Sequence, residues 1–168
     1  MDLSLSKEQF RKVMSRFATG VAIVTSRAGD EIHGMTCNAF CSVSISPMTV
    51  LVSLAKDTRT ERMITAGGVF AVNVLSESQT WLSDRFAGRH PDQEENRFQA
   101  VEWAPAVTGA PILKGSQAYL DCMLRKTFDC DTHTLFLGSV VAIHVDESQR
   151  PLIFFCSQYI GLDSLKPL

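Results

Sequence analysis

The chain has 168 residues, 45% hydrophobic and 20% charged, enough for one ordinary domain to bury most of its apolar surface in its own core. Sixteen Lys and Arg against 18 Asp and Glu leave a net charge of −2, and no basic cluster marks a nucleic-acid binder. The start, MDLSLSKEQFRKVM, lacks the apolar core of a signal peptide, and no run approaches the roughly 18 apolar residues that span a bilayer, so the expectation is a single cytoplasmic domain over 1–168 with no membrane segment.

Ser6 with Gln9 forms a capping box, and Phe10, Val13, Met14 and Phe17 follow at i, i+3, i+4 and i+7, which predicts an amphipathic helix with one buried face, stopped at Gly20. VAIVTS, a turn at AGDE and IHGMTC then read as a β-hairpin. Gly34 to Thr60 follows, with small hydroxyl residues, Pro47, a β-branched strand and a Lys/Thr-rich turn. Thr58 to Ala66 reads as a short helix ending at Gly67-Gly68, and VFAVNVL as the next strand. A second capping box, Ser76 with Gln79, opens a helix carrying Trp81, Leu82, Arg85 and Phe86 and stopping at Gly88. RHPDQEENRF is polar and reads as a surface loop, GAPILKG as a turn or half-helix, and QAYLDCMLRKTF, THTLFLGSVVAIHV and PLIFFCSQY as three strands with turns at FDCD and DESQR. Six to eight strands and two or three helices, with no crossover helix in the last third, favour an antiparallel barrel with helices at its ends over a doubly wound parallel sheet.

Five cysteines, Cys37, Cys41, Cys122, Cys130 and Cys156, form an odd set without a C-x-x-C pair, as expected of free thiols in a reducing compartment. The four histidines have no metal-ligand spacing, and no nucleophile elbow, Walker loop, G-x-G-x-x-G or H-E-x-x-H occurs. An enzyme built this way needs a cofactor to carry the hard step. Thr36, Cys37, Asn38, Ala39 and Phe40 can set backbone and small groups beside the donors and acceptors of a flavin edge, with Ser42 and Ser44 alternating on one strand face. Lys56, Thr58 and Thr60 place an ammonium and two hydroxyls at a helix start, where backbone N–H groups favour a phosphate. The same residues also make an ordinary solvated strand followed by a helix cap.

The ordered run TGVAIVTS, GMTCNAFCSVSISPMTVLVSL, KDTRT, FAVNVL, LSDRFAGR, THTLFLGSVVAI and PLIFFCSQYIGL resembles the short-chain flavin reductases, small NAD(P)H:flavin oxidoreductases that serve two-component flavin monooxygenases. The resemblance implies a mainly β, split antiparallel barrel with peripheral helices and a homodimer holding FMN or FAD at the subunit interface. It further implies NADH or NADPH stacked on the flavin and a partner monooxygenase that receives reduced flavin. The family pattern T-x-N-S-F-x-S-V-S falls on Thr36, Asn38, Ala39, Phe40, Ser42, Val43 and Ser44, with Cys37 at its open position. Ser53, Leu54 and Ala55 lead into the phosphate motif at Lys56, Thr58 and Thr60.

Three departures stand out: Ala39 replaces the family's serine, Pro47-Met48 its paired prolines, and Asp131-Thr132-His133 its Gly-Asp-His. On the resemblance, His133 donates a hydrogen bond to the nicotinamide dinucleotide or the flavin edge. Phe86, Ala87, Arg89 and Tyr159 are further wall candidates that could equally be packing residues. No residue is expected as an acid or base, because position and stacking supply the rate. Two alternatives keep the fold: a flavin-binding electron-transfer module without nicotinamide turnover, or reduction of another acceptor such as a corrinoid or a ferric chelate.

Overall fold

A computed structural model describes residues 5–89 and 96–162. Helix α1 (Lys7–Met14) is followed by strands β1 (Thr19–Gly20), β2 (Ala22–Ala28), β3 (Glu31–Cys37), β4 (Phe40–Ile45) and β5 (Met48–Ala55). Helix α2 (Arg59–Gly67), strand β6 (Val69–Val74), a 3-10 turn (Glu77–Gln79) and helix α3 (Thr80–Phe86) come next. Strands β7 (Trp103–Pro105), β8 (Pro111–Leu113), β9 (Ala118–Cys130), β10 (His133–Val145), β11 (Ile153–Phe155) and β12 (Gln158–Ile160) complete the described chain.

Seven strands form one antiparallel sheet in the order β3-β2-β6-β9-β10-β5-β4. Its two edges, β3 and β4, are joined only by Asn38 and Ala39. Laid flat, seven strands would hold those edges about 29 Å apart. The three peptide links from Cys37 to Phe40 reach at most about 11 Å. The sheet therefore rolls on itself, and the Ser53 N–H donates to Ala39 O at 2.9 Å where the edges meet. The rolled antiparallel sheet with peripheral helices agrees with the expected mainly β, split-barrel architecture.

The VAIV run is buried on both faces because β2 separates two apolar clusters. Ala22 and Val24 point inward to Val50, Val52, Leu54, Phe70, Val72 and Phe136. Val21 and Ile23 face Leu75, Leu82, Phe86, Leu113 and Leu152 outside the roll. Gly138 lets β10 close on β6, since a Cβ there would run into the Phe70 ring and lie 3.0 Å from Cys122 Cβ. Thr58 caps α2 by accepting from Glu61 N, and Gly68 ends that helix in the left-handed region at φ 68°.

Several expectations need correction. The Ser6–Gln9 capping box forms, but α1 ends at Met14 with Ser15 as its cap, and Gly20 lies in β1. Its apolar face is not buried: Phe10 is 66% exposed, Val13 68% and Phe17 69%, because periodicity reports a face but not what covers it. GAPILKG contains β8, which pairs with β7, instead of a half-helix. PLIFFCSQY is a hairpin, not one strand, since Cys156 and Ser157 adopt φ of 50° and 62° between β11 and β12. β9 runs through FDC to Cys130, leaving Asp131-Thr132 as the turn. Residues 90–95 of the expected surface loop lie outside the described residues.

Candidate functional site

The β3–β4 corner, the start of α2 and the end of α3 converge on two neighbouring clefts. The larger, about 580 Å³, is surrounded by His33, Met35, Thr36, Asp57, Thr58, Arg59, Thr60, Phe86, Ala87 and Arg97. A smaller one of about 160 Å³ is bordered by Thr36, Cys37, Asn38, Ala87, Arg89 and Tyr159, so Thr36 and Ala87 belong to both. Between them the two clefts extend from the Asn38 corner to the N-terminus of α2, where the helix dipole and unsatisfied N–H groups are positive.

Each wall is braced. The Thr36 hydroxyl donates to Ser83 O at 2.6 Å, tying β3 to α3. Tyr159 sits 2.8 Å from Asp84 Oδ1 and 2.9 Å from Ser83 Oγ, and Arg89 pairs with Asp84 at 2.7 Å while lying 5.9 Å from the Tyr159 ring centre. Burial and the Asp84 carboxylate push the Tyr159 phenol above its ordinary range, so it stays protonated. Thr58 Oγ1 donates to Ala55 O at 2.9 Å, which leaves its cap geometry fixed.

Sequence reasoning missed the cationic side of the larger cleft. Arg97 Nη1 donates to Phe86 O at 2.7 Å and Gly34 O at 3.1 Å, and in return Arg85 Nε donates to Arg97 O at 2.7 Å. Phe98 beside it packs edge-on against Phe86 with centroids 5.1 Å apart. The C-terminal end of the polar RHPDQEENRF segment is thus anchored into the site, a role that polarity alone does not reveal. His33 Nδ1 lies 2.8 Å from Thr60 Oγ1. Its pKa is lowered to about 4 by burial and by the charges of Arg97, Arg59 and Arg62, so the imidazole is neutral near pH 7. Arg59 and Arg97 border the larger cleft together with Asp57, and Arg59 pairs with Glu31 at 3.1 Å, so the cleft offers cationic groups beside the α2 N-terminus that fit the phosphorylated tail of a flavin.

Of the other expected site residues, Thr60 and Cys37 border the clefts but are themselves buried, and the rest border neither cleft. Thr60 is fully buried and engaged with His33, and Leu54 points into the core. Cys37 is also buried, its thiol 3.7 Å from Ser53 O and pushed up to about 11 by burial, which makes it an inert packing group. Ser42, Val43, Ser53, Ala55 and His133 lie on β4, β5 and β10, where Ala55 is the cross-strand partner of His133 and Ser53 of Leu135. Ser42 and Ser44 do not share a face, because a bulge at Val43 pairs them with the successive residues Val50 and Thr49. Lys56 donates to Asp129 Oδ2 at 2.7 Å. Ala39 and Phe40 form the corner itself, Ala39 through its carbonyl to Ser53.

A rolled antiparallel sheet with peripheral helices and clefts at its edge corner defines a protein of the split β-barrel class. The flavin reductase like domain matches residues 14–163, and the chain belongs to that family. It is 33% identical to the flavin-dependent monooxygenase reductase subunit HsaB of Mycobacterium tuberculosis, over 99% of this chain and 88% of that protein. It is 38% identical to the NADH-dependent flavin reductase StyB of Pseudomonas fluorescens, over 95% of this chain and 89% of that protein. Among solved structures, the NADH:FAD oxidoreductase SgcE6 of Streptomyces globisporus superposes with a TM-score of 0.87 at 33% identity, covering 99% of both chains.

Proposed function

We propose that this protein is an NAD(P)H:flavin oxidoreductase that reduces FMN or FAD and supplies the reduced flavin to a partner monooxygenase. The observation that carries the reading is the pair of neighbouring clefts sharing Thr36 and Ala87, one bordered by Asn38 and Tyr159 and the other by the α2 N-terminus with Arg59, Arg97 and His33. A bound flavin supplies the hydride-accepting ring and the reduced nicotinamide the hydride. Thr36, Asn38 and the Ala39 corner would align the ring edge, Thr58 and the first turn of α2 would hold the phosphate, and Phe86 and Ala87 would exclude water from the far wall. His133, exposed at the start of β10 with its Nδ1 2.9 Å from Thr132 Oγ1, is the proposed nicotinamide-side residue, along with Arg89 and Tyr159. Ala55, the cross-strand partner of His133, and Ser53 share its face of the sheet, whereas Ser42 and Val43 lie further along β4, opposite the other end of β5.

The relatives named as monooxygenase reductase subunits support an oxygenase partner. Apolar side chains left at the surface, among them Phe10, Phe17, Ile45, Ile143 and Val145, support a homodimer, since so much exposed hydrocarbon is unusual for a soluble monomer. Free cysteines support a reducing, cytoplasmic location. Among the described residues no helix is long and apolar enough to cross a membrane. Purified protein mixed with FAD or FMN and NADH or NADPH should consume the reduced nicotinamide only when flavin is present. Absence of flavin-dependent oxidation with every pair would refute the assignment, and light scattering reads the oligomeric state.

A further inference from the structure

The last turn of α3 ends at the smaller cleft, and one carboxylate there holds two residues of the cleft wall. Tyr159, from β12, donates its phenol to Asp84 Oδ1 at 2.8 Å across 75 positions of chain. Arg89 Nη1 reaches the same oxygen at 2.7 Å, and the Arg89 backbone N–H donates to Asp84 O at 3.2 Å, so Arg89 is tied to Asp84 twice. The guanidinium stands 5.9 Å from the centre of the Tyr159 ring, and the Phe154 ring lies 5.6 Å from it. Tyr159, Arg89 and Phe154 all border the smaller cleft, whereas Asp84 does not. Among the described residues Arg89 is the one charged group on that border, and the Asp84 carboxylate offsets its charge. The space, about 160 Å³, therefore presents aromatic surface beside the exposed Asn38 amide, which both donates and accepts. That combination suits an uncharged flat ring with a hydrogen-bonding edge, while the larger cleft with Arg59 and Arg97 is the charged half.

We propose that Asp84 is a positioning residue for hydride transfer: by gripping Tyr159 and Arg89 on one oxygen, it fixes the wall against which a flat ring of the flavin or of the nicotinamide lies in the smaller cleft. The proposal rests on the flavin-reductase reading above. A carboxylate oxygen accepts from two donors at once, so one side chain of α3 sets two neighbours that arrive from different parts of the chain. Without it the Tyr159 hydroxyl keeps only Ser83 Oγ, at 2.9 Å, and the Arg89 side chain, already 55% exposed, is released to water. Hydride transfer tolerates little displacement of the reacting rings: an error of about 1 Å costs up to about a hundredfold in rate.

The test uses full-length protein, with riboflavin and FMN titrated by flavin fluorescence and the oxidation of NADH and NADPH normalised to flavin-binding sites. Asp84→Ala should lower kcat by about tenfold or more. If the ring in the cleft is the flavin's, riboflavin and FMN should weaken alike, by about two- to tenfold, the scale of one lost hydrogen bond. If it is the nicotinamide's, the nicotinamide KM should rise while both flavin affinities hold. Tyr159→Phe should lower kcat in the same direction, and the Asp84→Ala, Tyr159→Phe double variant should be no worse than Asp84→Ala, because both changes undo one arrangement. Asp84→Asn keeps an acceptor for the phenol but no charge for Arg89, so its kcat should fall between wild type and Asp84→Ala; it carries the test if thermal melts show that Asp84→Ala does not fold. The proposal is overturned if the folded variant keeps the wild-type kcat per binding site and changes only the melt, if the losses from Asp84→Ala and Tyr159→Phe add in full, or if FMN weakens while riboflavin does not. A wild-type protein that binds neither flavin and oxidises no nicotinamide removes the flavin reading itself, and this proposal with it.

Discussion

Acidification should destabilise this protein in part through His33. The imidazole is 7% exposed, faces Thr60, and is held neutral by burial and three arginines down to about pH 4. In the unfolded chain the same group titrates near 6.5. The folded pKa is the lower one, so below pH 6.5 the unfolded chain takes up a proton that the native protein refuses. Stability is then unaffected above about pH 7 and falls as pH drops from 6.5 to 4, by about 1.4 kcal/mol per pH unit while the two states differ by a whole proton. The full difference of about 2.5 pH units corresponds to about 3 kcal/mol, of which about 2.5 kcal/mol is lost by pH 4.5. Urea denaturation of wild type and His33→Gln at about pH 7.5 and about pH 4.5 isolates the contribution, since other titrating groups cancel in the difference. The wild-type disadvantage should grow by about 2.5 kcal/mol on acidification. Equal pH dependence in the two proteins would refute the burial argument. Inorganic phosphate or FMN should shrink the effect on the wild type by placing negative charge near the imidazole and raising its pKa.

Thr58→Ala removes the α2 cap and should cost about 1 kcal/mol in thermal or urea unfolding, with Thr58→Ser restoring most of it. Gly34→Ala brings a Cβ to 3.0 Å from Phe86 Cε1 and 3.1 Å from Thr25 Cγ2, so about 1–3 kcal/mol of stability should be lost and the flavin KM should rise as Phe86 shifts. Arg97→Met removes both Nη1 bonds, to Gly34 O and Phe86 O; a melting temperature lowered by several degrees with weaker FMN binding is expected, from about 1–3 kcal/mol of lost charge-assisted bonding. An unchanged melt and titration for that variant would show that Arg97 is incidental to the cleft.

Most elements were legible because their signals are local. Ser6 with Gln9 and Thr58 with Glu61 satisfy helix-end N–H groups within one turn, and Gly68 supplies a left-handed stop without reference to the rest of the chain. β2, β3, β5, β6, β9 and β10 follow from β-branched runs. What eluded pattern reading was non-local or depended on a single residue's backbone: β8 pairs only because β7 lies beside it, and β11 and β12 separate only because Cys156 and Ser157 turn left-handed. The bulge at Val43 is likewise invisible to a period of two, and it separates Ser42 from Ser44.

The sequence by itself determined the element types, the mainly β class and the residues of the β3–β4 corner and the α2 cap, since propensity, capping and periodicity act over a few residues. Only the tertiary structure decided which polar groups face one another. The two-residue Asn38-Ala39 link joins strands that stand at opposite ends of the sheet order, and the roll that this demands brings α3 and the Arg97 segment against β3. That same closure puts His33 among three guanidinium groups and Lys56 on Asp129, contacts spanning up to 73 positions of chain, and electrostatic energy depends on separation in space.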